Sequence, residues 1–176
     1  MASSFVNIKE IGFWAKDAFI EAMQLCLINE IETQKLDSIE WINEFKTELA
    51  IQSLPIIFGG MSMELEEFIT TDERKAQIIE LIDIIIEKIV STDKYITGSN
   101  LYEMRKRAIN IICESGKLDF NDSKEFEKAV NSSGWELSLE LSKVKDRYQH
   151  SFKLLRLLVN GEMKTTASSP ETYWNY

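Results

Sequence analysis

Residues 71–90, TDERKAQIIELIDIIIEKIV, restrict the folds open to this chain more than any other stretch. Between Ala76 and Val90, the polar residues Gln77, Glu80, Asp83, Glu87 and Lys88 share one sector of a helical wheel. The rest of the circumference is apolar, with Ile78, Ile79, Leu81, Ile82, Ile84, Ile85, Ile86 and Ile89 spread around it. A helix with so wide an apolar face needs neighbours on two or three sides, so the pattern predicts a central helix enclosed by others. Thr70–Glu73 has the spacing of a capping box, and Asp72 and Glu73 suit the positive end of the helix dipole.

Breakers are scarce, with 7 Gly and 2 Pro in 176 residues, which favours long helices over a many-turned β fold. Residues 4–33 read as one helix on Ile8, Ile11, Ala15, Ala18, Ala22, Leu25 and Ile28, bent near Gly12. Asp37 opens a second helix running to about Gln52, with Ile39, Ile42, Phe45 and Leu49 on one face. Pro55 stops it. The connector 54–63, LPIIFGGMSM, is apolar for a loop; it either tucks over the end of the helices or presents an apolar binding surface. A short acidic turn spans Met63 to Phe68.

Asn100 starts a further helix with Leu101, Met104, Ala108, Ile111 and Ile112 as its stripe, and Gly116 suits the left-handed residue that ends it. A short helix follows over 122–130. The last long helix opens at Ser133–Glu136 and ends at Asn160-Gly161. Its apolar seam, Leu137, Leu141, Val144, Tyr148, Ser151, Leu155 and Leu158, suits packing along another helix at a shallow angle. No strand alternation and no repeat is read. The fold class expected is all-α: an antiparallel helical bundle of four to five long helices plus one or two short ones. Residues 1–164 form a single domain and 165–176 a tail, anchored by Tyr173, Trp174 and Tyr176.

Chemistry has few carriers in this sequence. His150 is the single histidine, with Asp146 one helical turn before it, and its expected role is a surface residue beside a charged neighbour. Cys26 and Cys113 lie in apolar helical patterns and make no disulfide framework. Motifs for zinc, for helical di-metal carboxylate sites and for phosphate loops are missing, so no catalytic residue, no metal and no cofactor is assigned. Arg105-Lys106-Arg107 reads as a solvated face, because consecutive residues on a helix point in different directions.

Charge is the stronger signal. The net charge is −9, and the excess sits early: 18 acidic against 8 basic residues through Asn100. Such a surface repels phosphate and argues against nucleic acid as a partner, whereas it attracts a basic protein. Three carboxylate clusters are the candidate partner-binding residues: Glu40, Glu44 and Glu48; Glu64, Glu66 and Glu67; and Glu80, Asp83 and Glu87. Spacing of i, i+4 makes the first row repel itself by a few tenths of a kcal/mol per pair, which a binding surface would justify.

In size, charge and class, the chain is similar to immunity proteins that block bacterial toxins and to antitoxins. The expected function is therefore a non-catalytic, cytoplasmic protein-binding module, an acidic inhibitor of a basic partner such as a toxin, with no membrane association. Two alternatives remain open: a small-molecule or lipid-binding bundle, lined by the connector and the isoleucine-rich face, and a structural or adaptor subunit pairing through the last helix.

Overall fold

The computed structural model describes residues 3–54, 61–117, 124, 125, 128, 131 and 145–169. It is mostly helical, with one two-stranded sheet. Strands β1 (Ser3–Ile8) and β2 (Ile11–Lys16) lead into α1 (Asp17–Thr33). A 3-10 turn (Leu36–Ser38), α2 (Glu40–Gln52), α3 (Leu65–Phe68), α4 (Asp72–Ser91), α5 (Gly98–Glu114) and α6 (Lys145–Asn160) follow. Among the described residues, no helix is long and apolar enough to cross a membrane.

The first correction concerns 4–33, where a hairpin stands in place of the first half of the expected helix. Ile8, Ile11, Ala15 and Ala18 happen to match a helical period, but Ser4, Val6, Phe13 and Ala15 are the residues the sheet buries. Ser4 pairs with Ala15 and Val6 with Phe13 across the two strands. Phe5 and Trp14 stack on the opposite face, their ring centres 5.4 Å apart. Lys9 takes a left-handed φ of 56° in the turn. Gly12 is obligatory here, since a Cβ on it would lie 2.1 Å from the carbonyl oxygen of Val6. In a helix the same glycine would be a liability of about 1 kcal/mol. The hairpin also has a distant partner. Gly12 N–H donates to Thr165 O at 2.8 Å, Thr165 Oγ1 donates to Gly12 O at 2.7 Å, and Trp14 Nε1 donates to Ala167 O at 3.1 Å. Part of the expected tail is thus stitched to β2, whereas Tyr173, Trp174 and Tyr176 lie outside the described residues.

The second correction concerns which helix is enclosed. Thirteen of the 17 residues of α1 are buried, and α1 touches α2, α4, α5, α6 and both strands. Helix α4 buries only Ile78, Leu81, Ile82, Ile85 and Ile89; Ile79, Ile84 and Ile86 are half-buried and Val90 is 55% exposed. Its main neighbour is α6, along which Tyr148, Ser151, Leu155 and Leu158 are buried as their seven-residue spacing requires. The earlier part of that seam, through Val144, and the helix expected over 122–130 fall outside the described residues or on its isolated positions. Lys75 Nζ donates to Asn160 O at 3.0 Å, placing a cation at the negative end of α6, where Gly161 (φ 77°) turns the chain away.

Caps lie close to where the spacing put them. Thr71 Oγ1 accepts from Arg74 N–H at the start of α4, one residue after the expected Thr70. Thr97 Oγ1 accepts from Asn100 N–H, so α5 begins before Asn100. Asn100 instead donates through Nδ2 to the carbonyls of Lys94 and Tyr95 and fastens the preceding connector. Asp37 does not cap α2, whose first turn follows Ile39; its carboxylate meets Lys46 at 3.4 Å. Gly116 is left-handed, as expected at a helix end. Of the apolar connector, Met61 and Met63 are buried, held by Met61 N–H on Ser4 Oγ (3.1 Å) and by Gln24 Nε2 on Ser62 O (2.7 Å).

Candidate functional site

Two populations of carboxylates organise the charge of this molecule. The first is inside. Glu21, on α1, is buried against Arg105 of α5, whose Nε donates to Glu21 Oε1 at 2.7 Å and whose second guanidinium nitrogen meets the same oxygen. Burial pushes the Glu21 carboxyl above its ordinary range, against the pull of the guanidinium. Two and a half turns further along α1, Glu30 is fully buried. Lys88 Nζ of α4 donates to both its oxygens at 2.8 Å, and Tyr95 Oη donates to Oε1 at 2.7 Å. The neighbouring Cys26 thiol is pushed up to about 12 by burial and by the Glu30 charge, so it stays protonated at neutral pH. At the end of α1, Glu32 gathers Lys46 of α2 (3.3 Å) and Arg107 of α5 (2.9 Å), and Arg107 also reaches Glu114 (2.9 Å).

These pairs overturn the solvated reading of 105–107 at Arg105. Arg105 turns inward and is buried against α1, whereas Arg107, its side chain 43% exposed, pairs with Glu32 of α1 at the surface, and Lys106, over the Tyr102 ring and 3.4 Å from Glu103, also stays there. The signal was present: Arg105 lies four residues after Leu101 and three before Ala108, on the apolar stripe of α5, as Glu21 does on α1. A charge on such a stripe calls for a buried counter-charge.

The second population is outside. Glu40 and Glu44 are exposed on α2, and Glu48 is half-buried and accepts from Gln52 Nε2 at 2.8 Å. Glu66 and Glu67 are exposed on α3; Glu64, half-buried with φ 48°, precedes it. Glu66 accepts the Lys9 N–H at 3.0 Å, at the tip of the hairpin. Phe45 against Phe68 (5.1 Å) and Arg74 over the Trp41 ring (4.9 Å) join α2 to α3 and to the start of α4, so the first two clusters occupy adjacent elements. On α4, Glu80 and Glu87 are exposed, flanking an Asp83 that Arg156 of α6 engages at 2.6 and 3.3 Å. That third row therefore runs beside α6, and Asp83 is already committed to a structural pair.

The remaining candidates are placed as follows. His150 and Asp146 are both exposed on α6, and no hydrogen bond joins them among the described residues. Among the described residues, no group of three or more His, Cys, Asp or Glu side chains is arranged to hold a metal ion. A shallow open depression of about 350 Å³ lies between α1 and α5, lined by Asn29, Tyr95, Asn100, Glu103, Met104 and Arg107. Its lining is an even mixture of polar and apolar surface, and neither the described residues of the connector 54–63 nor the isoleucines of α4 line it.

No protein-family model, curated protein or solved structure matches this chain. What the site can do rests on its own chemistry. The cations of α2, α4 and α5 nearest α1 (Lys46, Lys88, Arg105 and Arg107) are drawn into its carboxylates. Glu40, Glu44, Glu67, Glu80 and Glu87 have no cationic partner among the described residues. A surface of that kind attracts and orients a cationic macromolecule over a Debye length of about 10 Å at 0.1 M salt.

Proposed function

We propose that this chain is a non-catalytic, cytoplasmic protein-binding module that captures a basic protein partner, in the manner of an immunity protein or antitoxin covering a toxin. The helices act as an antiparallel bundle that holds an acidic exterior in fixed geometry. The observation that carries this reading is the uneven pairing of charge: the carboxylates of α1 take up Lys46, Lys88, Arg105 and Arg107, and the exterior acids Glu40, Glu44, Glu67, Glu80 and Glu87 have no cationic partner among the described residues. Pairing with a basic protein would relieve the self-repulsion along α2 and raise the association rate through long-range attraction.

The test is kinetic. A partner recovered from the native host should be basic, and its association rate constant should fall steeply as ionic strength rises. Glu40→Gln combined with Glu44→Gln should slow association and flatten the salt dependence while leaving the unfolding midpoint in place. Where the partner is a toxin, co-expression should restore growth of cells that carry it. An association rate indifferent to salt would remove the electrostatic basis of the proposal.

A further inference from the structure

The hairpin has two edges, and they are treated differently. Gly12 spends its backbone N–H and C=O on Thr165, so these groups point away from β1. Asn7 stands opposite Gly12 in the register and forms with it a non-hydrogen-bonded pair, which directs the Asn7 N–H and C=O away from β2. By the two-residue period of a strand, Phe5 does the same. No backbone group among the described residues meets either of them. The neighbouring segment reaches β1 by other means: Met61 N–H goes to the Ser4 hydroxyl, and the Glu66 carboxylate goes to Lys9 N–H. Asn7 is exposed and Phe5 half-buried. One edge is therefore closed by the chain's own residues 165–167, and on the other the outward backbone groups of Phe5 and Asn7 have no backbone partner among the described residues.

We infer that the outer edge of β1 takes an extended, lysine- or arginine-bearing segment of the protein partner as a third strand, with the carboxylates of α3 receiving its basic side chains. Backbone pairing at Phe5 and Asn7 supplies the alignment. Charge supplies the choice of occupant. Helix α3 packs on β1 and places Glu66 at the hairpin, with the exposed Glu67 next to it in sequence, so a second copy of this chain, itself −9, would bring like charges together, whereas a basic strand meets opposite ones. This deepens the proposed function and rests on its acidic-module reading.

The probe is a short, end-blocked peptide of alternating lysine and valine, compared with its two isomers N-methylated at every second residue. Binding to the full chain is followed by calorimetry and by amide hydrogen exchange. The parent peptide should slow exchange at Phe5 and Asn7. The isomer methylated on the pairing edge should bind about tenfold more weakly, as expected for the loss of two backbone hydrogen bonds. Asn7→Pro, tolerated where an edge N–H faces away from its sheet, should weaken the parent peptide similarly while circular dichroism stays unchanged. Glu67→Gln should weaken it several-fold. Equal affinity for the parent and both isomers, no binding of any of them, or unchanged exchange at Phe5 and Asn7 would overturn the strand-edge inference, the first of these leaving the acidic-module reading intact. Peptide binding indifferent to salt would instead strike that broader reading.

Discussion

Helices α1 and α4 both carry carboxylates within apolar stretches, yet they place them on opposite sides of the solvent boundary. In α1, Glu21 and Glu30 face other helices and are met by Arg105, Lys88 and Tyr95. In α4, Glu80, Asp83 and Glu87 face outward, and among the described residues only Asp83 of the three finds a cation. Local signals differ in parallel. Helix α4 has a threonine cap at Thr71 and acids in its first turn, whereas α1 follows Lys16 with no side-chain cap. Tertiary enclosure holds α1, and α4 contributes more of its own definition. The same residue type thus serves cohesion in one helix and outward charge in the other, depending on how many neighbours surround it.

Breaking the inner population should have the largest effect. Arg105→Ala leaves the Glu21 carboxylate buried without its counter-charge and should cost about 3–5 kcal/mol in urea unfolding. Replacing both partners, Glu21→Leu with Arg105→Met, should recover most of that loss; equal damage from the single and double changes would mean that packing, not charge, dominates the site. The pair also has a pH signature. Because burial raises the Glu21 pKa above its ordinary 4.5, the folded state holds that proton more tightly than the unfolded chain. The associated stability is complete below pH 4.5 and is lost as pH climbs through the raised value. The stability difference between the native sequence and Glu21→Gln should therefore shrink across that window and stay flat above it.

Tyr95→Phe removes one donor from the buried Glu30 and should cost about 1.5–3 kcal/mol, less than the loss of a whole counter-charge because Lys88 remains. Thr71→Ala tests the local definition of α4 and should cost about 1 kcal/mol, visible as faster amide exchange in its first turn. At the bottom of the scale, Glu80→Gln with Glu87→Gln should move the unfolding free energy by less than about 0.5 kcal/mol. A loss comparable to that of Tyr95→Phe would show these outer acids to be structural and erase the contrast between the helices.

Much of α2, α4 and α5 is legible in the sequence, because their stripes and the stop at Gly116 are local, whereas the caps of α2 and α5 are not where Asp37 and Asn100 suggest. The buried quartet Tyr148, Ser151, Leu155 and Leu158 is legible for the same reason. The hairpin is not, since Ile8, Ile11 and Ala15 match a helical period by coincidence and the deciding contacts come from Thr165 and Ala167, more than 150 residues away. The isoleucine density of α4 also outweighed the quieter α1, although enclosure follows the number of packed neighbours rather than local hydropathy. Of the charged surface, the exposed carboxylates could be read directly. Their significance could not, because it depends on pairs such as Glu21–Arg105 and Glu30–Lys88 that lie 84 and 58 residues apart.

The stitch between Gly12 and Thr165 sets a timetable for biosynthesis. A ribosome making this chain exposes the hairpin long before it makes the segment that closes β2, and the 153-residue separation keeps that side bare until nearly every helix has been translated. Throughout that interval the β2 flank of the ribbon is open, so a nascent-chain chaperone that shields residues 3–16 would protect the molecule at its most adhesive moment.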